Sequence, residues 1–253
     1  MAEVFFWPAL VGYGEAALAY ASVRTSPAAT WGVRLGWLAQ TALLAVQAAH
    51  ADGFPWSTWA ASLNLFVWLV VGAYLIWGCR PRFRLLGLAV MPVAAALFLV
   101  ARLGGGTHGG GRSAYGSVFL VLHVGLVLAA FAGFTLAAAL AVLYLWEERR
   151  LKSRAADILR LRLPPLQSLE RLTWRTIVVS LPLLTLGLVA GLVRLRQEHD
   201  GFDALEAVTL VTWLVYGLFV AARPGGRRAA HLALGGFALV VLARLVLSVG
   251  HFA

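Results

Sequence analysis

A long uncharged run constrains the fold of this chain more than any other feature. The residues from Gly116 to Trp146 carry no formal charge, and the first charge follows at Glu147. At about 1.5 Å of rise per residue, a helix of about 30 residues crosses the hydrocarbon core of a bilayer with length to spare. The run is followed by a basic cluster, Arg149, Arg150, Lys152 and Arg154. Because basic residues beside a span stay in the cytoplasm, we predict a transmembrane helix that places His123 near the outer surface.

The composition extends this interpretation to the whole chain. Hydrophobic residues make up 61% of the 253 residues and charged residues only 13%, whereas soluble domains carry about 25% charged residues. Apolar runs of spanning length recur at about 4–23, 31–50, 59–78, 85–101, 116–154, 176–195, 204–222 and 229–250. The sequence predicts an all-α polytopic membrane protein, a bundle of about eight transmembrane helices with both termini outside. We expect one transmembrane domain over 1–253, with a cytoplasmic amphipathic segment at about 149–175 on the membrane surface.

Charge and motif content exclude several classes of function. The net charge of +10 comes from arginines in short loops, where they set the topology, and the sequence shows no folded basic module for nucleic acid. The lone Cys79 excludes a disulfide framework, and without a C-x-x-C-H sequence the chain does not carry covalent haem. No H-E-x-x-H, no Walker sequence and no hydrolytic set of nucleophile, base and orienting residue stands out. A hydrolase, a nucleic-acid binder and a disulfide scaffold are therefore disfavoured.

Three histidines fall at the outer ends of predicted spans. His50 ends the second span, His123 lies in the fifth and His251 follows the eighth, and Gln40 and Gln47 share a helix face with His50. Polar residues at this depth usually face a cavity or the bundle interior. Neutral imidazole is a common metal ligand, and two histidines hold haem iron in membrane cytochromes. Two interpretations stay open here: a pair of axial ligands, or interfacial histidines that bond to carbonyls or lipid head groups.

Tryptophans and one intramembrane arginine add a second signal. Trp56 and Trp59 lie at the outer loop after the second span, where they fit either an aromatic belt at the membrane interface or a flat shelf for a planar macrocycle. Arg244 lies inside the eighth predicted span, and an arginine there needs a partner. A haem propionate is one candidate partner, and the carboxylates of Glu15 and Glu206 are the others.

Three stretches of the sequence resemble one known family. They are the segment GFPWSTWAASL at 53–63, the helix around Leu122-His123-Val124 that ends in EERRLK, and the segment DALE at 203–206 with Thr212-Trp213 downstream and a final Gly250-His251. Together these stretches are similar to the cytochrome c assembly protein family of haem-handling membrane proteins, the group that includes CcsA, CcmC and the HemX-like proteins. The resemblance covers most of the chain from about His50 onward.

The resemblance implies a function and a site. His123 and His251 would be axial ligands to a non-covalent haem b held at the outer face for delivery to apocytochrome c. The other residues that would contact the haem are Trp56, Trp59, Phe202, Asp203, Trp213, Arg244 and His50. A CcsB/ResB-like membrane partner is implied, and the chain would be at most one component of a cytochrome c synthase (haem lyase). The expected location is the bacterial cytoplasmic (inner) membrane.

The chain departs from the family pattern at identifiable positions. Phe202 stands where the family has a tryptophan, and Ala61 replaces the glutamate of the family's E-S-L segment. These departures place the chain nearer the shorter HemX-like branch, so a non-catalytic regulator of haem biosynthesis, acting through the cytoplasmic segment, is a second hypothesis. A b-type electron-transfer cytochrome is a weaker third, because such proteins stack histidine pairs at two depths and the inner half offers only His231.

Overall fold

The chain is described by a computed structural model that covers residues 2–21, 27–51, 55–56, 58–77, 84–107, 118–153, 164–198 and 204–249. Over these ranges it contains eight α-helices, one 3-10 turn and no β-strand. The 3-10 turn is Ala2–Phe5, and the helices are α1 (Phe6–Ala21), α2 (Pro27–Ala49), α3 (Trp59–Trp77), α4 (Arg84–Leu103), α5 (Val118–Lys152), α6 (Leu166–Glu198), α7 (Ala204–Ala222) and α8 (Gly226–Val249). The predicted all-α class is confirmed.

Four helices contain stretches that are long and apolar enough to cross a membrane. The stretches are Trp59–Ile76 in α3, Leu85–Leu103 in α4, Val121–Lys152 in α5 and Leu166–Val193 in α6. In α7 the apolar stretch Ala207–Ala222 is shorter. Several membrane passes are therefore supported within the described ranges, whereas the count of eight spans and the outer position of both termini stay predictions.

The helices group into two compact units. The first unit is Met1–Ser117, with α1 to α4, and the second is Val118–Ala253, with α5 to α8. In the first unit α1 packs on α2 and α4, and α3 packs on α4. In the second unit α5 packs mainly on α6 and also on α8, while α7 packs on α6 and α8. One domain over 1–253 stays a prediction.

The first unit is built around buried polar side chains. Tyr13 O–H donates to Gln40 Oε1 at 2.6 Å, and Gln40 Nε2 donates to Asn64 Oδ1 at 2.8 Å and to its carbonyl at 3.0 Å. Gln47 Nε2 donates to the carbonyl of Gly106 at 2.9 Å. The side chains of Tyr13, Gln40, Gln47 and Asn64 are buried. Because hydrocarbon offers no other partner to an amide, these bonds fix α1, α2, α3 and the turn after α4 against one another.

The second unit is built around close helix contacts and aromatic packing. Gly133 of α5 faces Ser180 of α6 so closely that a Cβ there would overlap the serine hydroxyl. Phe134 stacks on Tyr216 of α7, with ring centroids 3.9 Å apart and planes 3° from parallel. Tyr216 O–H donates to the carbonyl of Ala233 in α8 at 3.2 Å. Small residues let the backbones of α5 and α6 approach, and the aromatic pair fills the remaining volume.

The helices α5 and α6 are longer than a helix that only spans a bilayer. They contain 35 and 33 residues, against about 20 for a spanning helix. α6 begins at Leu166 rather than near Thr176, because the carbonyl of Pro165 already accepts from the amides of Ser168 and Leu169, at 2.7 and 3.3 Å. Residues 166–175 of the predicted surface segment therefore form the first turns of α6, and 154–163 lie outside the described residues. The position of this segment on the membrane surface stays a prediction.

Candidate functional site

His123 lies near the start of α5, half-buried against α6. Its Nδ1 atom lies 2.7 Å from the carbonyl oxygen of Gly187. A carbonyl oxygen only accepts hydrogen bonds, so Nδ1 carries the proton, and in the neutral imidazole the lone pair then lies on Nε2. This is the arrangement in which a metal-ligating histidine is commonly held, since a carbonyl bonded to the other ring nitrogen fixes both tautomer and ring orientation.

Two glycines of α6 allow close contact with α5, and one of them makes room for the imidazole. A Cβ on Gly191 would lie 2.7 Å from His123 Nδ1 and 2.8 Å from Cε1. A Cβ on Gly187 would lie 2.8 Å from Cγ2 of Val127, one turn along α5 from the histidine. We call Gly187 and Gly191 the glycine socket: the imidazole lies directly against the α6 backbone there. Any larger residue at Gly191 would displace the ring.

Sequence reasoning missed the glycine socket. It assigned no role in the site to Gly187 or to Gly191. The signal was present, because the two glycines stand four residues apart in G-L-V-A-G, and small residues at this spacing mark close helix contacts in membranes. What the pattern does not indicate is the residue of the partner helix that fills the space.

Trp213 of α7 also contacts α6. Its indole Nε1 donates to Thr185 Oγ1 at 2.8 Å, and the same hydroxyl donates to the carbonyl of Leu181 at 2.9 Å. Thr185 lies two residues before Gly187. The second unit thus brings two of the predicted haem contacts, His123 and Trp213, onto one stretch of α6.

Three other predicted site residues belong to the first unit. His50 is exposed, and its Nδ1 lies 2.8 Å from the carbonyl of Val46 on its own helix, so unlike Gln40 and Gln47 it takes no described part in the buried polar cluster. Trp59 begins α3 and is exposed. Trp56 is half-buried and its carbonyl accepts from Ser62 Oγ at 2.7 Å. A ligand contact for these residues stays a prediction.

The remaining predicted site residues lie just before α7, within α8 and after it. His251, Phe202 and Asp203 lie outside the described residues. Arg244 belongs to α8, but its side chain lies outside the described part of the chain. The pairing of His123 with His251 and a propionate contact from Arg244 therefore stay predictions. In the described ranges no group of three or more His, Cys, Asp or Glu side chains is placed to hold a metal ion. The predicted haem site uses only two histidines as iron ligands, so this finding does not bear on it.

Comparison with known proteins identifies the family. The sequence model described as Cytochrome C assembly protein matches residues 56–251, from the tryptophan before α3 to the final histidine. The chain belongs to the cytochrome C assembly protein family, which confirms the resemblance seen in the residues. With its apolar helices, this membership identifies a multi-pass membrane protein.

Curated relatives come from two named groups. The chain is 27% identical to the cytochrome c biogenesis protein CcsA of Gloeothece citriformis, over 83% of this chain and 81% of the relative. It is 26% identical to CcsA of Microcystis aeruginosa, over 83% and 80%. Protein HemX of Brevibacillus brevis is 28% identical, over 72% and 68%. The chain is therefore similar to members of both groups along most of its length.

Proposed function

We propose that the protein handles haem in cytochrome c assembly. In this proposal it holds haem b non-covalently at the outer face, through His123 and His251, and passes it to apocytochrome c. The observation that carries the proposal is the hydrogen bond between His123 Nδ1 and the Gly187 carbonyl, in a chain whose family match extends to His251. That bond leaves Nε2 as the atom with a lone pair, which is what an axial ligand requires.

The residues around His123 fit such a ligand. The Gly187 carbonyl orients the ring and keeps the proton on Nδ1, and Gly191 leaves space for the ring to lie flat against α6. A carbonyl acceptor on the distal nitrogen also raises the basicity of the ligating nitrogen. Trp213 holds α7 to α6 through Thr185. The contacts with Gly187 and Gly191 would keep the imidazole in place whether or not the haem is bound, so little ordering would be needed on binding.

The other roles follow from the haem's own groups. When bound, haem supplies the iron and the vinyl groups that cysteine thiols of an apocytochrome attack. Arg244, inside α8, is proposed to pair with a propionate by a charge-assisted bond. Delivery is proposed to need a CcsB/ResB-like membrane partner, with this chain as at most one component of a cytochrome c synthase in a bacterial inner membrane.

The test is an absorption spectrum of the purified protein with and without the ligands. We expect bound haem in the wild type and at least a tenfold lower haem content in His123→Ala and in His251→Ala, because each loses an axial ligand. The matched control is His231→Ala in α8, an exposed histidine whose Nδ1 lies 2.7 Å from the Arg227 carbonyl of its own helix. Full haem content in His123→Ala would contradict the proposal.

A second candidate is a HemX-like regulator of haem biosynthesis that binds no haem. The similarity to Protein HemX over 72% of the chain favours it. It predicts a wild-type protein without a haem spectrum, together with altered levels of haem-biosynthetic enzymes when the gene is deleted. The spectrum of the wild type therefore separates the two candidates before any variant is made.

A further inference from the structure

A cavity of about 310 Å³ lies in the second unit at the end where α5 finishes, far along the helix from His123. Its walls come from the first turns of α6 and from the turn between α7 and α8. The α6 side supplies Gln167, Glu170, Arg171 and Trp174, and the turn supplies Arg223 and Pro224. The haem proposal makes no use of this cavity.

Arg223 is held in an unusual backbone conformation. Its φ is 45°, in the left-handed region, directly after the last residue of α7, where glycine is the favoured residue. Its amide closes the helix by donating to the carbonyl of Phe219 at 3.1 Å. Its guanidinium lies over the indole of Trp174, with Cζ 5.7 Å from the ring centroid. The chain thus carries a strained arginine at a position that a glycine would occupy freely.

The single acid of the cavity wall is already engaged. Glu170 Oε1 accepts from the amide of Gly226 at 2.9 Å, at the first residue of α8, where a carboxylate satisfies an orphan amide and meets the positive end of the helix dipole. Arg171 and Arg223 form no ion pair in the described residues, and both are exposed at the cavity. The cavity therefore presents two unmatched guanidinium groups beside an indole.

We propose that Arg171, Arg223 and Trp174 form a binding site for a phosphate group. Guanidinium forks bind phosphate oxygens by paired, charge-assisted hydrogen bonds, and the neighbouring exposed Arg175, Arg227 and Arg228 raise the local positive potential. In a membrane protein this group belongs to the head of an anionic phospholipid or to free phosphate. An indole beside the arginines suits a site at the level of lipid head groups.

The first experiment compares ligands on the full-length protein in detergent. Phosphatidylglycerol, inorganic phosphate and the phosphate-free lipid monogalactosyldiacylglycerol are added separately, and the thermal unfolding midpoint and dissociation constant are measured. A rise in the unfolding midpoint with phosphatidylglycerol alone assigns the site to a lipid head, and an equal rise with inorganic phosphate assigns it to the free anion. The proposal is overturned if neither phosphatidylglycerol nor phosphate raises the midpoint, or if the galactolipid raises it equally.

The second experiment locates the site. Arg171→Gln is expected to weaken binding about tenfold, since a hydrogen bond to a charged group contributes that much. The matched control is Arg34→Gln, an exposed arginine of the first unit whose Cζ lies 5.3 Å from the Trp31 ring centroid, which is expected to bind like the wild type. Equal affinity in wild type and Arg171→Gln would overturn the assignment.

Arg223→Gly separates binding from folding. Glycine adopts the left-handed conformation without strain, so the ligand-free variant is expected to unfold at or above the wild-type midpoint while its affinity for the phosphate group falls about tenfold. A variant that keeps wild-type affinity, or one that loses stability without ligand, would show that Arg223 serves packing on Trp174 alone and would overturn the proposal.

Discussion

The two units differ in how their buried polar side chains are bonded. In the first unit, buried tyrosine and amide side chains bond between helices, as Tyr13, Gln40 and Asn64 do. In the second unit, the buried serine and threonine hydroxyls bond to carbonyls one turn earlier on their own helix, as Thr173 does to Leu169. The same pattern recurs in Thr176, Ser180 and Thr212.

This difference distinguishes side chains that hold helices together from a side chain that is proposed to bind a ligand. A polar group that is saturated by another side chain holds two helices together but has nothing left to offer a ligand. In the second unit the serine and threonine hydroxyls bond within their own helix, and neighbouring helices approach through small residues such as Gly133. His123 is held by a backbone carbonyl through one nitrogen only, and its other nitrogen is the proposed ligand atom.

The strongest test of this comparison is Gln40→Leu in the first unit. The leucine removes three described hydrogen bonds, to Tyr13 and Asn64, and leaves buried polar partners unsatisfied. We expect the free energy of unfolding to fall by about 3 kcal/mol, measured by denaturant titration in mixed micelles. The exposed Gln167→Leu, measured in the same mixed micelles, is the control and should stay near wild type. Haem per folded molecule should not change; a loss of haem would break the separation between the units.

The next test is Gly191→Val in the glycine socket. The added atoms start 2.7 Å from His123 Nδ1, so the ring must move or the helices must part, at a cost of about 2 kcal/mol. Haem content should fall severalfold, and bound haem should show an altered absorption spectrum because its ligand is displaced. Gly125→Ala is the control, since a Cβ on Gly125 of α5 meets nothing within 4 Å. Equal haem loss in both variants would disprove the specific role of the socket.

The smallest expected effect is that of Thr185→Val. The valine keeps the shape of threonine but removes the acceptor of the Trp213 indole, and we expect a loss of about 1 kcal/mol in unfolding free energy. Thr135→Val, whose hydroxyl bonds only to Phe131 of its own helix, should change stability by less. Tryptophan fluorescence should shift in Thr185→Val alone. If the two variants behave alike, the indole bond does not hold α7 to α6.

The site was predictable in part, and the limits are physical. The residues alone pointed to His123 through its position in a long apolar run, and the family match to His251 at the chain's end agrees with the resemblance. Gln40, Gln47 and His50 were predicted to share one helix face, yet of the three only the glutamines enter the buried cluster, because α2 ends at Ala49 and His50 follows it, exposed. Helical periodicity predicts which face of a helix a residue lies on, but not whether that part of the helix packs against a neighbour.

The sequence by itself determined the helical, membrane-spanning character of the chain and its family, because length, apolarity and short motifs are local properties that need no partner. The tertiary structure alone decided which nitrogen of His123 is protonated, which glycine makes room for its ring, and which arginines meet at the cavity beside Trp174. Those features depend on helices distant in sequence meeting at a few ångströms, and such contacts arise only from the packing of one helix against another.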